Sequence, residues 1–179
     1  IYCEGEDERT LRAVQAVLDE GMAHPVLIGR PEVIERRIKS AGLRLQAGRD
    51  IEIVNPDHDP RYKELWQEYH RLLGRGGVTP SLAKLRMRAD TTLIGSMLLR
   101  RSDVDAMICG TQGQLSRHLQ HVNDVIGLRP NAHCFATMNM LLLPRHTLFM
   151  CDTYINEDPD AAQLAEITLM AADEVRRFG

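Results

Sequence analysis

Apolar residues in this chain recur at helical spacing, then in short continuous runs, and the exchange between the two patterns predicts most of the elements. Ile1-Tyr2-Cys3 reads as a short strand, followed by the acidic turn Glu4-Gly5-Glu6-Asp7. Leu11, Val14, Val17 and Leu18 then mark one face of a helix that Gly21 ends. Residues 24–28 form a second strand, and Pro31 suits the first turn of a helix that stops at Gly42. Residues 51–54 form a third strand. Asp59-Pro60 supplies a capping carboxylate and a first-turn proline to a helix lined by Tyr62, Leu65, Trp66, Tyr69, Leu72 and Leu73. Gly76-Gly77 breaks the chain and Thr79-Pro80 starts another helix. Residues 91–100 make a further one, with Leu93, Ile94, Met97 and Leu98 on one side. The run 104–109 reads as a buried apolar strand, and an amphipathic helix spans 115 to about 126.

The order β-α-β-α-β-α-α-α-β implies a mostly parallel sheet covered by helices on both faces, a three-layer α-β-α arrangement. The pattern then changes. Residues 134–143 and 147–151 are two strands joined by Pro144-Arg145-His146, which makes them an antiparallel hairpin. Asp158-Pro159 caps a last helix bearing Leu164, Ile167, Ala171, Val175 and Phe178. The hairpin interrupts the βα alternation, so the chain divides into a first α/β subdomain, 1–131, and the start of a second, 132–179.

Composition narrows the class. A chain of 179 residues buries a sizeable core, enough for one domain or one and a half. A net charge of -3 argues against a nucleic-acid partner, which would need a basic face. The basic cluster Arg36, Arg37 and Lys39 reads as a solvated helix face. No stretch is long enough to cross a membrane, and no signal peptide opens the chain. The four cysteines, Cys3, Cys109, Cys134 and Cys151, lie far apart without a CxxC, as expected of reduced thiols in a cytoplasmic protein. The chain starts directly in a strand, without methionine, and ends on a helix in stride at Gly179, so it reads as a piece of a longer polypeptide.

Chemistry concentrates at one turn. No dinucleotide or P-loop glycine motif occurs. His118 and His121 stand one helical turn apart but lack a third ligand at matched spacing, so no metal site is expected. Asp57-His58-Asp59 is explained by helix-start chemistry. Gly110-Thr111-Gln112-Gly113-Gln114 is different: its glycines allow close backbone approach to a ligand, and the following helix offers free N–H groups to an anion. Ser116 and Arg117 add a hydroxyl and a guanidinium suited to phosphate. A second strand-to-helix turn, ending at Arg9, could face the same crevice. An ordinary strand-to-helix turn fits the residues equally well, so spacing alone reaches an α/β domain with a candidate anion-binding cleft.

Three segments together resemble the phosphate acetyltransferase family: Glu4-Gly5-Glu6-Asp7-Glu8-Arg9-Thr10-Leu11, residues 104–119, and residues 135–152. The chain is more similar still to the acetyltransferase-like domain at the C-terminus of large bacterial NADP-dependent malic enzymes. That similarity rests on Tyr69-His70-Arg71 leading to Gly77-Val78-Thr79-Pro80, on Met107-Ile108-Cys109-Gly110-Thr111, and on the run from Leu148 to Pro159. The resemblance implies an isocitrate-dehydrogenase-like fold about twice this length, with acyl-CoA and phosphate meeting in an interdomain cleft. It also implies arginines that hold phosphate and a serine–aspartate pair that activates the CoA thiol.

Residue by residue, Arg9 falls on a family arginine and Ser116 on the serine of the family's Ser-Asp-Thr-Leu-Arg run. The aspartate position of that run is Arg117, and its catalytic arginine is Gln120. A further family arginine falls on or near Leu73, with Arg71 and Arg75 close by. The family's catalytic serine and aspartate belong to a C-terminal part outside this chain. The resemblance therefore implies a domain without catalytic residues of its own. It would bind acetyl-CoA or phosphate through Arg9, Gly110, Thr111, Gln112, Gly113, Ser116, Arg117 and Gln120, and regulate an upstream malic-enzyme domain of the same polypeptide. NADP and a divalent metal, Mg or Mn, would sit in that upstream portion, and the protein would be a homo-oligomer. The alternatives are an active phosphate acetyl- or butyryltransferase and a purely structural oligomerisation module.

Overall fold

The computed structural model describes residues 1–178, so Gly179, where the final helix was expected to run on, lies outside the described residues. The chain forms two compact units, Ile1–Gly127 and Leu128–Gly179.

In the first unit the backbone around Tyr2 lies between two parallel neighbours. Tyr2 bridges Leu27 on one side and Ile108 on the other. Strand β1 (Val26–Ile28) in turn pairs in parallel with β2 (Glu52–Val54). Strand alternation sends successive side chains to opposite faces, and each face buries a different helix layer. Leu27 and Ile51 pack with Leu11 and Val14 of α1 (Glu8–Asp19) and with Ile34 and Ile38 of α2 (Pro31–Ser40). Cys3, Ile28 and Val54 face the other way. They meet Leu65 and Tyr69 of α3 (Tyr62–Leu73), Ala83 and Met87 of α4 (Pro80–Ala89), and Leu93, Met97 and Leu98 of α5 (Thr91–Arg100). This is the α-β-α layering that the pattern predicts. Helix α5 is buried continuously from Thr92 to Leu98, because it lies between the sheet and its helical neighbours. Helix α6 (Leu115–Val125) completes the unit and packs on α5.

Three local expectations are corrected. The run 104–109 is not a buried strand: only Ile108 pairs with the sheet, and its side chain is 53% exposed. It has a partner on one side only, and the exposed Asp103 and Asp105 keep the stretch at the sheet's open edge. Helix α3 begins at Tyr62, two residues later than Asp59-Pro60 suggests, with Arg61 in the cap position. The Asp59 carboxylate accepts from the Arg61 backbone at 2.8 Å and holds its guanidinium across the turn that leads into the helix. Asp158 likewise yields to Asp160. The Asp160 carboxylate accepts from the Gln163 N–H at 2.8 Å while the Gln163 side chain accepts from the Asp160 N–H at 3.0 Å, a reciprocal capping box. Elsewhere the expected caps stand, with Thr79 Oγ1 accepting from the Leu82 N–H and Pro80 opening α4.

The second unit is a hairpin and a helix. β3 (Met138–Leu142) and β4 (Thr147–Cys151) pair antiparallel with Met140 opposite Phe149. Helix α7 (Ala161–Phe178) packs against β4, with Phe178 and Phe149 rings 5.9 Å apart. Asp152 ties the unit together. Its carboxylate accepts from the backbone N–H and hydroxyl of Thr137, at 2.9 and 2.7 Å, and from the backbone and side-chain amides of Asn156. Leu141, Leu142, Leu148 and Met150 remain exposed, so the hairpin is apolar on outward positions as well. No helix among the described residues is long and apolar enough to cross a membrane.

Candidate ligand-binding site

The strand through Tyr2 and the segment through Ile108 end side by side, and each releases a loop at its carboxyl end. That is where open α/β sheets place ligands. The first loop turns sharply at Gly5, whose N–H donates to the Ile28 carbonyl at 3.1 Å. A Cβ there would stand 2.7 Å from that oxygen, so glycine alone fits. The second loop uses left-handed backbone at Gly110 (φ 101°) and Gly113 (φ 95°).

Asp7 joins the two loops. It caps α1 by accepting from the Arg9 N–H at 2.8 Å, and its two oxygens also receive the Arg9 guanidinium. Gln112 of the second loop donates to Asp7 Oδ2 at 2.9 Å, and Arg9 reaches across to the Thr111 carbonyl at 2.8 Å. Glu4 accepts from the Gly110 N–H at 2.9 Å. Hydrogen bonds from Arg9 and then Gln112 hold the Asp7 carboxyl well below the usual carboxylate range, against the opposing effect of burial.

His118, on the first turn of α6, fixes the loop from the other side. Its Nε2 donates to the Gln112 carbonyl at 2.7 Å. Its Nδ1 shares a hydrogen bond with the Thr92 hydroxyl at 2.7 Å. Arg117 pairs with Asp90, which His121, then Arg117, holds below the usual range despite its burial. His121 is buried with Nε2 3.8 Å from Asp90, and neither of its ring nitrogens has a hydrogen-bond partner among the described residues. Among the described residues no group of three His, Cys, Asp or Glu is placed to hold a metal ion.

Two cavities flank the second loop, and Glu4 and Gln112 line both. One, of about 270 Å³, is also lined by Asp7, Arg30 and Arg88; the other, of about 320 Å³, by Gly113, Arg117 and His118. Of the residues singled out from sequence, Arg9, Thr111 and Gln112 meet directly, and Gly110 and Gly113 shape their loop. Ser116 and Gln120 lie exposed on α6. Leu73, Arg71 and Arg75, at the end of α3 and beyond, line neither cavity. Glu4, Asp7, Asp90 and Thr92 were not singled out, yet they position the loop. The acidic turn hinted at the first two, whereas Asp90 and Thr92 come from a distant helix start and carry no local signal. The Thr111 hydroxyl is buried without a protein partner among the described residues.

Three of the arginines near the loops are already paired, Arg9 with Asp7, Arg30 with Glu6, and Arg117 with Asp90. What remains for a ligand is glycine backbone, the uncapped start of α6, neutral side chains and Arg88, whose guanidinium stacks on the Tyr62 ring. This defines an open-sheet α/β domain with two loops set side by side at the carboxyl ends of its strands.

The whole chain, residues 1–179, matches the phosphate acetyl/butaryl transferase family, and it belongs to that family. It is 50% identical over 176 residues to an NADP-dependent malic enzyme of Escherichia coli (strain K12), covering 98% of this chain and 23% of that one. An NAD-dependent malic enzyme of Rhizobium meliloti (strain 1021) is 46% identical over 179 residues, again 23% of its length. Identity to the phosphate acetyltransferase of Escherichia coli (strain K12) is 30%, over 98% of this chain and 24% of the enzyme. The fold is that of the EutD phosphotransacetylase from Staphylococcus aureus, with TM-score 0.87 and 22% identity over 99% of this chain and 52% of the other. The chain thus spans about a quarter of the length of the malic enzymes it matches.

Proposed function

We propose that this chain is a non-catalytic, phosphate-acetyltransferase-like domain that binds acetyl-CoA and regulates a malic enzyme carried on the same polypeptide. The observation that carries the reading is the state of the arginines. A phosphate-transfer site works by presenting positive charge to developing negative charge. Here Arg9 and Arg117 are neutralised by Asp7 and Asp90, and the position the family resemblance assigns to a catalytic arginine is the neutral, exposed Gln120. The loop that would receive a ligand is nonetheless braced from both sides. Higher identity to malic enzymes than to the phosphate acetyltransferase supports the same reading.

In this reading malate is oxidised and decarboxylated to pyruvate by the portion outside the chain. That portion would hold NADP, or NAD as in the Rhizobium meliloti relative's name, together with Mg or Mn. Regulation requires that acetyl-CoA bind two states of the protein unequally. The test is a titration of acetyl-CoA into the full-length protein, following malate oxidation with each dinucleotide and the thermal midpoint. A change in both supports the proposal, and no change in either overturns it. Acetyl phosphate formed from acetyl-CoA and phosphate would instead establish an active transferase.

A structural role is favoured by a separate observation, the exposed apolar side chains of β3 and β4. They fit a homo-oligomer of a cytoplasmic protein in which a second copy covers the hairpin. Native mass of the full-length protein with and without this domain tests it, and assembly unaffected by the deletion counts against it.

A further inference from the structure

The two segments that carry the site loops each end in a cysteine, and the register sets those cysteines side by side. Tyr2 is bridged to Ile108, and the Cys3 N–H donates to the Ile108 carbonyl at 2.9 Å, so Cys3 and Cys109 are the next pair along. Both point to the face opposite Tyr2, where Cys3 is fully buried in the core and Cys109, half-buried, packs against it. Neighbouring strands lie about 4.8 Å apart, within the roughly 4.4–6.8 Å Cα separation that disulfides span. Gly95 of α5 leaves the room that the Cys3 sulfur occupies: a Cβ on it would come within 2.7 Å of Cys3 Sγ.

We propose that Cys3 and Cys109 are a peroxide-reactive thiol pair that closes to a disulfide beneath the two site loops. Cys109 is the attacking group. Its thiol is brought down to about 7, chiefly by the neighbouring Cys3 and then, against burial, by His118 and Thr92 nearby; Glu4 opposes this. Cys3 is pushed up by the same contact and by burial, so it keeps its proton. The Cys109 thiolate attacks one oxygen of hydrogen peroxide, the O–O bond breaks, and hydroxide leaves as Cys109 becomes a sulfenic acid. The Cys3 sulfur then attacks the Cys109 sulfur, and its proton leaves with the displaced hydroxide as water. Two thiols lose two electrons in all, and one peroxide becomes two waters. Gly110 follows Cys109 and Glu4 follows Cys3, so the bond would tie the roots of both loops. The inference does not depend on the identity of the ligand.

The test uses the full-length protein, exposed to hydrogen peroxide, blocked with N-ethylmaleimide, digested and analysed by mass spectrometry. A crosslinked peptide joining Cys3 to Cys109, absent after dithiothreitol, is the expected result. Both thiols remaining maleimide-labelled, under exposure that oxidises the exposed Cys151, would overturn it. The Cys3→Ser variant, which keeps a polar hydrogen beside Cys109 but cannot form a disulfide, should leave a dimedone-reactive sulfenic acid on Cys109. As a check needing no variant, maleimide labelling of Cys109 against pH should have its midpoint near 7. Labelling at pH 7 should then be about tenfold faster than for an ordinary thiol of pKa ~8.5; a midpoint at the ordinary value would count equally against the proposal.

Discussion

Gly5 shows how little freedom a single position has at this site. The loop passes so close to β1 that any side chain would meet the Ile28 carbonyl and the Leu27 Cβ, at 2.7 and 2.8 Å. Gly5→Ala should therefore destabilise the protein by roughly 1–3 kcal/mol, the cost typical of overpacking. Urea unfolding measures this, and an unchanged midpoint would contradict the geometry. Asp7 is the other decisive residue, since it caps α1 and holds both Arg9 and Gln112. Asp7→Ala should cost about 1–3 kcal/mol from the lost cap and charged hydrogen bonds. The sign of its pH dependence follows from the direction of the shift. The folded-state pKa is lowered, so the contribution is complete above about pH 4 and is lost as pH falls through the folded value. The stability difference between wild type and Asp7→Ala should shrink on acidification; a difference constant to pH 2 would show that Asp7 acts otherwise.

At the scale of elements, caps separate what local sequence can fix from what it cannot. Thr79-Pro80 predicts the start of α4 because the hydroxyl and the proline act within four residues. Asp59-Pro60 carries the same signature, yet α3 starts two residues later, at Tyr62, and Asp59 braces the intervening turn through Arg61, which also approaches Asp103 at 3.7 Å. Asp160 and Gln163 were legible as a capping box, yet Asp158-Pro159 offered a competing start two residues earlier. The hairpin was legible from two apolar runs joined by a short connection, whereas its closure depends on Asp152. Burial alone would raise that carboxyl, but hydrogen bonds from Thr137 and Asn156 outweigh it and bring it to about 2. Asp152→Ala should thus loosen the ends of β3 and β4. The expected loss is roughly 2–3 kcal/mol, with faster amide exchange at Thr137 and Asn156. Protection at those amides unchanged in the variant would refute this role. The stabilisation should be present above about pH 4 and disappear as pH falls through 2.

For the whole molecule, the proposed function makes coupling between this domain and a malic-enzyme portion the quantity to measure. Arg9 links the two site loops through Asp7 and the Thr111 carbonyl, while its side chain remains 70% exposed. Arg9→Ala should therefore leave folding nearly intact but weaken acetyl-CoA binding about tenfold or more, equivalent to ~1.4 kcal/mol. Calorimetry on the full-length protein checks this. An unchanged affinity would move the ligand away from the Arg9 side of the loop.

Sequence by itself determined the α-β-α layering, the helix faces, the change to an antiparallel hairpin, and the family resemblance, because these rest on periodicity and on residues close together in the chain. It also drew attention to Arg9 and the Gly110 loop. Tertiary structure decided that Asp90 is spent on Arg117 and that Thr92 meets His118, pairings across 27 and 26 positions that no local pattern encodes. It decided, too, that residues 104–109 form an exposed edge rather than a buried strand, and that Cys3 and Cys109 stand together. Burial and pairing belong to neighbours in space, and a hydrophobic run records only its preference for cover.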